Sequence, residues 1–517
     1  MKAQPAGRSG SFFDEHASPA GPGPHAVRGG AIAIAARASS AAIQIGALVL
    51  LARLLSPDDY GLVAMVIALT GFASVFVDLG TRDALVRRAR VTAGEASALF
   101  WITVAVGCAC TLVLSICGPL IASFYGDPRL TTIALVSSFT FLAAALVSHH
   151  QALLQRSLMF RELAIVDIVA TLLSASLAIG MASLGFGYWA LVVRPVALYS
   201  LVAIGVWLFC GWWPVRPTLT PGVREMLRFG LNLTGFAMID YAGRNVDRVA
   251  VGKSLGALTL GFYQNSLLIY DQLMGVLVMP LHPVAVAGLS KLQDDLAQLR
   301  RSWARALSTV AFFAMPAFGL FAIVSQDAVV LLLGSPWATS GVLLSVLALR
   351  GIPHSVERTS GWLHVAAGRT DRWLRTGIVV SCGQVLALLI GLPFGITGIV
   401  CAYVLFMYLA FIPTLAYAGQ PLGIGALDVL NVVGAQVSGA LAAASLGFAL
   451  RVWLLTDVTS IERIAILAAA YVLTYLCVVI GLFRVTTPLL VGLSLVGNFL
   501  PGALKPWADR RLARPRA

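Results

Sequence analysis

Charged and amide side chains recur at helical spacing inside stretches of this sequence that are otherwise apolar. Two stretches each carry four ionisable residues at positions i, i+4, i+7 and i+8, a spacing that places all four on one face of an α-helix. The residues are Asp240, Arg244, Asp247 and Arg248 in the first stretch, and Arg350, His354, Glu357 and Arg358 in the second. A third stretch carries Arg37 and Gln44, seven residues apart and nearly on one face. The pattern predicts polar stripes on three apolar helices.

Two interpretations of these stripes remain open. An ionisable residue inside a membrane span costs about 2.5–3.5 kcal/mol on insertion scales, so it persists where it is paired or faces water. Asp240 with Arg244, or Glu357 with Arg358, could fasten helices together as ion pairs. Arg37 has no carboxylate in its own stretch, which favours a central cavity with excess positive charge. Because guanidinium binds phosphate oxygens in a bidentate fork, such a cavity would suit an anionic ligand.

The polar residues divide into two groups of candidates. Those predicted to bind an anion are Arg37, Gln44, Arg244, Arg248, Arg350 and Arg358; those predicted to carry a coupling proton or sodium ion are Asp240, Asp247, His354 and Glu357. His149 and His150 are adjacent, so their side chains point apart on a helix, and we expect an interfacial position for them instead of a metal site. No catalytic set, metal site or cofactor is predicted.

Composition identifies the solvent in which these helices must lie. The 517 residues are 59% hydrophobic and 11% charged, with a mean hydropathy of +0.87. A soluble domain carries about 25% charged residues. Such an excess of apolar surface requires lipid around most of the chain. The net charge of +13 is spread in small basic groups between apolar runs, which indicates membrane loops and not a nucleic-acid-binding domain.

Apolar runs of roughly 20 residues recur along the chain and predict an all-α polytopic membrane protein with about fourteen transmembrane helices. The predicted spans are 30–53, 61–80, 96–123, 131–153, 164–184, 187–210, 229–252, 257–281, 303–333, 339–366, 374–394, 395–418, 427–450 and 463–483. Most lysines and arginines fall in every second connection, which predicts that both termini are cytoplasmic.

These spans suggest a division of the chain into five segments. They are a disordered cytoplasmic tail at 1–28, an N-terminal lobe of six spans at 29–215, a C-terminal lobe of six spans at 216–420, spans 13 and 14 at 421–485, and an interfacial segment with a basic cytoplasmic tail at 486–517. An internal echo supports the two lobes. Residues 53–61 (RLLSPDDYG) and 253–261 (KSLGALTLG) align at an offset of 200 residues, each at a turn between an odd and an even span.

Several segments resemble bacterial polysaccharide flippases of the Wzx type, with the colanic-acid and succinoglycan exporter branch the most similar. They are LARLLSPDDYGLVAM at 51–65, FVDLG at 76–80, QALLQRSLMFR at 151–161, NVDRVAVGKSLG at 245–256, LGFY at 260–263 and LSKLQDD at 289–295. The resemblance covers roughly residues 30–450. The basic tail after residue 484 and the long N-terminal extension depart from the pattern and inherit no role.

The resemblance implies the multidrug/oligosaccharidyl-lipid/polysaccharide exporter fold, in which two six-helix lobes form a V with pseudo-two-fold symmetry and two C-terminal helices follow. It implies translocation of undecaprenyl-pyrophosphate-linked oligosaccharide repeat units across the bacterial inner membrane by alternating access, for exopolysaccharide, capsule or O-antigen assembly. A cationic lumen is a recurring feature of the family. The implied partners are this lipid-linked oligosaccharide, membrane lipids, and a polysaccharide polymerase with its chain-length regulator.

Two other classes of function compete with this expectation. A drug or metabolite antiporter of the same fold, similar to the MATE transporters, would favour carboxylates and aromatic residues over arginines in its lumen. A membrane scaffold for a synthesis complex would need no cavity. The sequence contains no P-loop and no large outer loop that could carry an enzyme site, so we expect a protein that is not an enzyme.

Overall fold

Helices account for nearly all of the regular structure. The computed structural model describes residues 24–486 and 488, apart from 79, 89–90, 280, 293–294 and 456–457. In that part the chain forms sixteen α-helices and no strand. They are α1 (Pro24–Leu54), α2 (Pro57–Asp78), α3 (Thr81–Arg87), α4 (Ala93–Tyr125), α5 (Arg129–Arg156), α6 (Phe160–Ser183), α7 (Trp189–Cys210), α8 (Pro221–Leu277), α9 (Leu281–Ser290), α10 (Leu296–Leu333), α11 (Ala338–Glu357), α12 (Ser360–Ala366), α13 (Thr370–Gly391), α14 (Gly395–Gly419), α15 (Ala426–Trp453) and α16 (Ser460–Leu476). A π-helical turn, Cys477–Leu482, extends α16.

The all-α membrane fold is confirmed. Among the described residues, nine helices are long and apolar enough to cross a membrane, and one of them, Asp371–Leu422, contains both α13 and α14. Helices α2 and α11 and the two arms of α8 are not among the nine. Adding them and separating α13 from α14 reaches the fourteen predicted spans, and that number remains a prediction.

The chain divides into two compact units, residues 1–264 and 265–517. The division falls inside α8, so the first arm of this helix belongs with the first unit. The predicted lobe boundary at 215/216 and the other segment limits stay predictions. Residues 1–23 of the predicted tail, and 487 and 489–517 of the predicted C-terminal segment, lie outside the described residues, and α1 already begins at Pro24.

Local sequence explains where several helices start and stop. The Ser56 hydroxyl and the Asp59 carboxylate cap the first turn of α2, with the Asp59 N–H bonded to Ser56 Oγ at 3.3 Å and the Ser56 N–H bonded to Asp59 Oδ2 at 2.9 Å. Pro57 occupies the first helical position, where its missing N–H costs nothing. At the other end of a helix, Gly126 closes α4 with φ of 82°, a left-handed conformation that suits glycine.

The first unit has a dense aromatic core near the ends of α5 and α7. The His150 ring stacks on Trp207 with ring centroids 4.2 Å apart and its Nε2 lies 3.2 Å from the Trp212 carbonyl oxygen. Phe100 packs edge-on against both histidines. His149 and His150 are fully buried, and their predicted position at the membrane interface stays a prediction. Large aromatic neighbours, which are distant in sequence, supply the apolar surface that encloses them.

In the second unit, α15 and α16 pack on α10 through both apolar and charged contacts. The Tyr475 hydroxyl donates to the Phe312 carbonyl oxygen at 3.1 Å. Asp327 of α10 is buried, with 8% of its surface exposed, and pairs with two arginines. Arg463 Nη1 donates to Asp327 Oδ1 at 3.0 Å, and Arg451 Nη2 lies 3.1 Å from Asp327 Oδ2. One carboxylate therefore connects three helices.

Replacing Asp327 with asparagine should destabilise the protein, because it leaves Arg451 and Arg463 partly buried without their counter-charge. Removing one partner of a buried ion pair typically costs about 3–5 kcal/mol. We expect a clear fall in the thermal unfolding temperature of the detergent-solubilised protein. Asp371→Asn is the matched control, since its pair with Arg369 is exposed and such pairs contribute little. Equal unfolding temperatures for the two variants would contradict the structural role of Asp327.

Candidate functional site

Helix α8 carries the first predicted stripe and is interrupted at Gly256, where φ is 82° and ψ is 175°. L-residues with a side chain rarely adopt this backbone conformation, so glycine permits the break. The break separates a first arm, 221–255, from a second arm, 257–277. Side chains of the stripe on the first arm can therefore reach residues of the second arm.

Two members of the stripe make these contacts across the break. The Tyr263 hydroxyl donates to Asp247 Oδ2 at 2.6 Å, and Arg248 Nε donates to Gln264 Oε1 at 2.8 Å. Tyr263 is fully buried. Asp247 and Arg248 thus hold the two arms of α8 in a fixed relation. Asp247 accepts a hydrogen bond from the Tyr263 hydroxyl and lies beside Arg248, so a movement of the two arms would change its partners.

The rest of the first stripe is less enclosed. Arg248 also donates to the Asn245 side-chain oxygen and, at 3.2 Å, to the Arg244 carbonyl oxygen. Asn245 is buried, whereas Arg244 is exposed. The side chain of Asp240 lies outside the described residues, so its predicted role is not examined by the structure.

On α1, the predicted candidates Arg37 and Gln44 are both exposed. Ser40, which lies between them, is buried, and its hydroxyl donates to Asp167 Oδ2 of α6 at 2.6 Å. This contact fixes the rotation of α1 against α6. The two candidates consequently lie on a part of α1 that the first unit does not cover.

In the second unit, Arg350 of α11 lies between two tyrosine rings. Its Cζ atom is 5.3 Å from the ring centroid of Tyr403 on α14 and 6.0 Å from that of Tyr270 on the second arm of α8. Both separations are within cation–π range. Tyr403 and Tyr270 are buried. The electron-rich ring faces stabilise the half-buried guanidinium of Arg350.

His354, one turn further along α11, is linked to the same tyrosine. Its Nδ1 lies 2.7 Å from the Tyr270 hydroxyl, and the two rings are parallel within 2° at a centroid separation of 6.1 Å. Glu357 and Arg358 follow at the C-terminal end of α11, and both are half-buried. The predicted second stripe therefore forms one continuous polar track on α11, with Tyr270 and Tyr403 beside its N-terminal half.

Sequence reasoning missed the four partners Tyr263, Gln264, Tyr270 and Tyr403. Tyr263 and Tyr270 are seven residues apart on one face of a helix, but tyrosines at that spacing are common in ordinary cores. Tyr403 lies in a span without any charged residue. Their contacts with the charged residues depend on tertiary packing, which the sequence pattern does not reveal.

Chemically, the described site contains hydrogen-bonding and cationic groups and no metal-ligating cluster. No group of three His, Cys, Asp or Glu side chains that could hold a metal ion occurs in the described part of the chain. Partly buried arginines with aromatic neighbours bind planar or phosphate-like anions well.

Comparison with solved structures identifies the fold. A lipid II flippase, MurJ, in an inward closed conformation matches with a TM-score of 0.70 at 15% identity, covering 87% of this chain and 98% of that one. An inward-facing multidrug resistance MATE family transporter of the MOP superfamily matches with a TM-score of 0.58 at 14% identity, covering 74% of this chain and 94% of that one. The chain thus has the fold shared by these membrane transporters.

Sequence comparison then gives the family. The model of the family described as "Polysaccharide biosynthesis protein" matches residues 50–341, more than half of the chain. The chain belongs to this family.

Curated relatives agree with that assignment. The teichuronic acid biosynthesis protein TuaB of Bacillus subtilis is 26% identical over 58% of this chain and 63% of the relative. The lipopolysaccharide biosynthesis protein WzxC of Escherichia coli is 25% identical over 66% of this chain and 70% of the relative. The succinoglycan biosynthesis transport protein ExoT of Rhizobium meliloti is 25% identical over 58% and 61%. The chain covers less than two thirds of the length of TuaB and of ExoT.

The contact between Arg350 and Tyr403 predicts a difference between two substitutions at one position. Tyr403→Leu removes the ring face from the guanidinium and should destabilise the protein by about 0.5–2 kcal/mol beyond the change in packing. Tyr403→Phe keeps the ring and should retain most of the stability. Thermal unfolding of the purified protein measures both, with Tyr408→Leu on the same helix as control. Equal losses for Tyr403→Leu and Tyr403→Phe would show that the ring face contributes nothing.

Proposed function

We propose that this chain is a flippase that moves undecaprenyl-pyrophosphate-linked oligosaccharide repeat units across the bacterial inner membrane, with both termini cytoplasmic. The oligosaccharides serve exopolysaccharide, capsule or O-antigen assembly on the far side. The protein works by alternating access and uses no catalytic residue. A polymerase and its chain-length regulator receive the cargo.

The observation that carries the proposal is family membership over residues 50–341 together with the names of the relatives. One relative is named as a transport protein of succinoglycan biosynthesis and another as a lipopolysaccharide biosynthesis protein. The fold shared with a lipid II flippase supports a lipid-linked cargo. The same fold also occurs in multidrug transporters, but the named curated relatives act in biosynthesis of surface polymers.

The arginines selected from the sequence are the candidates for binding the pyrophosphate in this proposal. Arg37 and Arg244 of the first unit are exposed, and Arg350 and Arg358 of the second unit are half-buried. Guanidinium is the appropriate group because its planar fork matches two phosphate oxygens and it stays charged in an apolar setting. Gln44 and Arg248 complete the set as neutral and cationic hydrogen-bond donors. The polyprenyl tail stays in lipid, where its transfer costs nothing.

The carboxylates near these arginines couple transport to a proton or sodium gradient in the same proposal. Asp247 already accepts one hydrogen bond from Tyr263 and one from the Arg248 N–H, the latter at 2.7 Å. Glu357, Asp240 and His354 are the further candidates. Such a group binds its ion in one conformation and an arginine in the other, so that each transport cycle releases the ion.

Substitution of the arginines tests the binding role. In a strain that lacks the chromosomal copy, Arg→Ala at Arg37, Arg244, Arg350 and Arg358 should reduce surface polymer by about tenfold or more per site, since a lost charged hydrogen bond contributes about 1.5–3 kcal/mol. Arg→Lys should restore only part of the output, because an ammonium cannot form the fork. Polymer at the surface and lipid-linked intermediate inside the cell are measured together.

Arg301→Ala is the control for that experiment, because Arg301 is exposed near the start of α10 and its Nε only donates to a carbonyl oxygen of its own helix. Unchanged polymer in all four cavity variants at normal membrane abundance would reject the arginine site. Accumulation of intracellular dye in the deletion strain, with normal polymer, would indicate a drug antiporter. Full rescue by variants that cannot transport would indicate a scaffold.

Neutral substitutions test the coupling role. Asp247→Asn and Glu357→Gln should leave polymer output insensitive to an ionophore that collapses the coupling gradient, because neither amide can exchange a proton or bind sodium as a carboxylate does. Asp428→Asn, at the exposed start of α15, should remain as sensitive as the parent protein. Ionophore sensitivity that is unchanged in both variants would exclude these carboxylates from coupling.

A further inference from the structure

The 200-residue echo in the sequence corresponds to two pieces of backbone that contact each other in the first unit. Helix α2 begins at Pro57 after the break at Ser56, and the second arm of α8 begins at residue 257 after the break at Gly256. The exposure pattern also repeats: positions 53, 54 and 56 are exposed, as are 253, 254 and 256, while Gly61 and Gly261 are buried. The echo is therefore a structural repeat.

The contact between the two repeats is reciprocal. A Cβ atom placed on Gly61 would lie 2.5 Å from the Ala257 carbonyl carbon and closer still to its oxygen. A Cβ atom placed on Gly261 would lie 2.7 Å from the Pro57 carbonyl carbon and 3.1 Å from the Gly61 nitrogen. Position 57 corresponds to 257 and position 61 to 261. Each glycine therefore lies against the carbonyl group at the equivalent position of the other repeat. The two helix starts cross as they would about a two-fold axis.

Small residues four apart are the usual way for two membrane helices to bring their backbones together. Here the small residues at the contact are Gly61 and Gly261, which lie against the carbonyl groups of Ala257 and Pro57. The obstacle to a larger residue is backbone in both cases, and backbone cannot rotate away as a flexible side chain can. A methyl group at either glycine is thus incompatible with this arrangement, whereas it would be tolerated wherever the two helix starts are apart.

The turn between α4 and α5 contacts both partners of the crossing. Arg129 Nη1 lies 3.5 Å from Asp58 Oδ2 at the start of α2, and Lys253 donates to the Phe124 carbonyl oxygen at the end of α4. The hydrogen bond from Arg129 holds the pKa of the Asp127 carboxyl below its usual range. These contacts are exposed and individually weak. They hold the crossing in place without making its separation costly.

We propose that this crossing, the glycine clasp formed by residues 57–61 and 257–261, is the closure on the outer side of the membrane, and that it must separate for cargo to leave. The inference rests on the proposed transport function. The charge distribution of the sequence predicts that both turns lie on the outer side. Under alternating access, the two repeats would be the equivalent parts that move. Because the two repeats are equivalent, we expect substitution of Gly61 and substitution of Gly261 to have effects of the same kind and size.

A graded series of alanine substitutions tests the clasp. Gly61→Ala and Gly261→Ala place a methyl group against backbone. Gly252→Ala places one 3.0–3.2 Å from the side chains of Tyr125, Leu260 and Met65, which can yield. Gly180→Ala is the matched control, since nothing lies within 4 Å of its Cβ position. Each variant is made in a chain with its seven cysteines replaced and with Ala64→Cys added.

Labelling of Ala64→Cys by a membrane-impermeant maleimide added from outside reports whether the clasp is open, because Ala64 is buried three residues beyond Gly61. We expect several-fold more labelling in Gly61→Ala and Gly261→Ala alike, less in Gly252→Ala, and none above the parent in Gly180→Ala. Polymer export should fall by about tenfold or more in the first two variants. The added methyl group prevents the clasp from closing, and a transporter that cannot close cannot complete its cycle.

The outcomes separate the clasp from the flippase proposal. Parental labelling and export in both Gly61→Ala and Gly261→Ala would overturn the clasp, as would a large effect at only one of the two glycines. The clasp would also be overturned if both glycine variants were lost from the membrane while Gly252→Ala was labelled no more than the parent. The crossing would then be only a packing contact. Raised labelling in a chain whose deletion leaves surface polymer unchanged would support the clasp and reject the proposed cargo.

Discussion

The low dielectric constant of a membrane interior is the constraint on which this structure depends, because every charged group placed there needs a partner. The described residues meet it in three ways. Asp327 binds two arginines, Asp247 accepts the Tyr263 hydroxyl, and Arg350 lies against tyrosine rings. The first arrangement is largely buried and holds three helices together. The other two place a charge beside tyrosine side chains, and in the proposed transport mechanism these charges exchange partners.

Sequence patterns predicted the helices well because membrane spans have a strong signal in length and hydropathy. Asp247 and Arg248 both contact the second arm of α8, and Arg350 and His354 both contact Tyr270. The binding and coupling roles predicted for them stay predictions. The partners of these residues could not be predicted, since Tyr270 and Tyr403 meet Arg350 only through tertiary packing. The burial of His149 has the same explanation, because the aromatic residues around it come from other helices.

Helix α8 connects the fold to the proposed mechanism. Its break at Gly256 creates the start of a second arm, and that start meets the start of α2 at Gly61 and Gly261. Asp247 and Arg248 join the two arms beside the same break. A change in the angle between the arms would therefore alter both the crossing and the partners of a candidate coupling carboxylate. Their proximity on one helix offers a direct physical link between ion binding and access.

Flipping in a purified system tests the central claim most directly. The protein is placed in vesicles that contain a polyprenyl-pyrophosphate-linked oligosaccharide in both leaflets, and a membrane-impermeant glycosidase is added outside. Without protein, only the outer-leaflet sugar, about half of the total in a symmetric bilayer, should be cleaved, since a pyrophosphate and its sugars do not cross hydrocarbon unaided. With the protein, nearly all of the sugar should become cleavable. A cleaved fraction that equals the protein-free value, in sealed vesicles containing folded protein, would contradict the account.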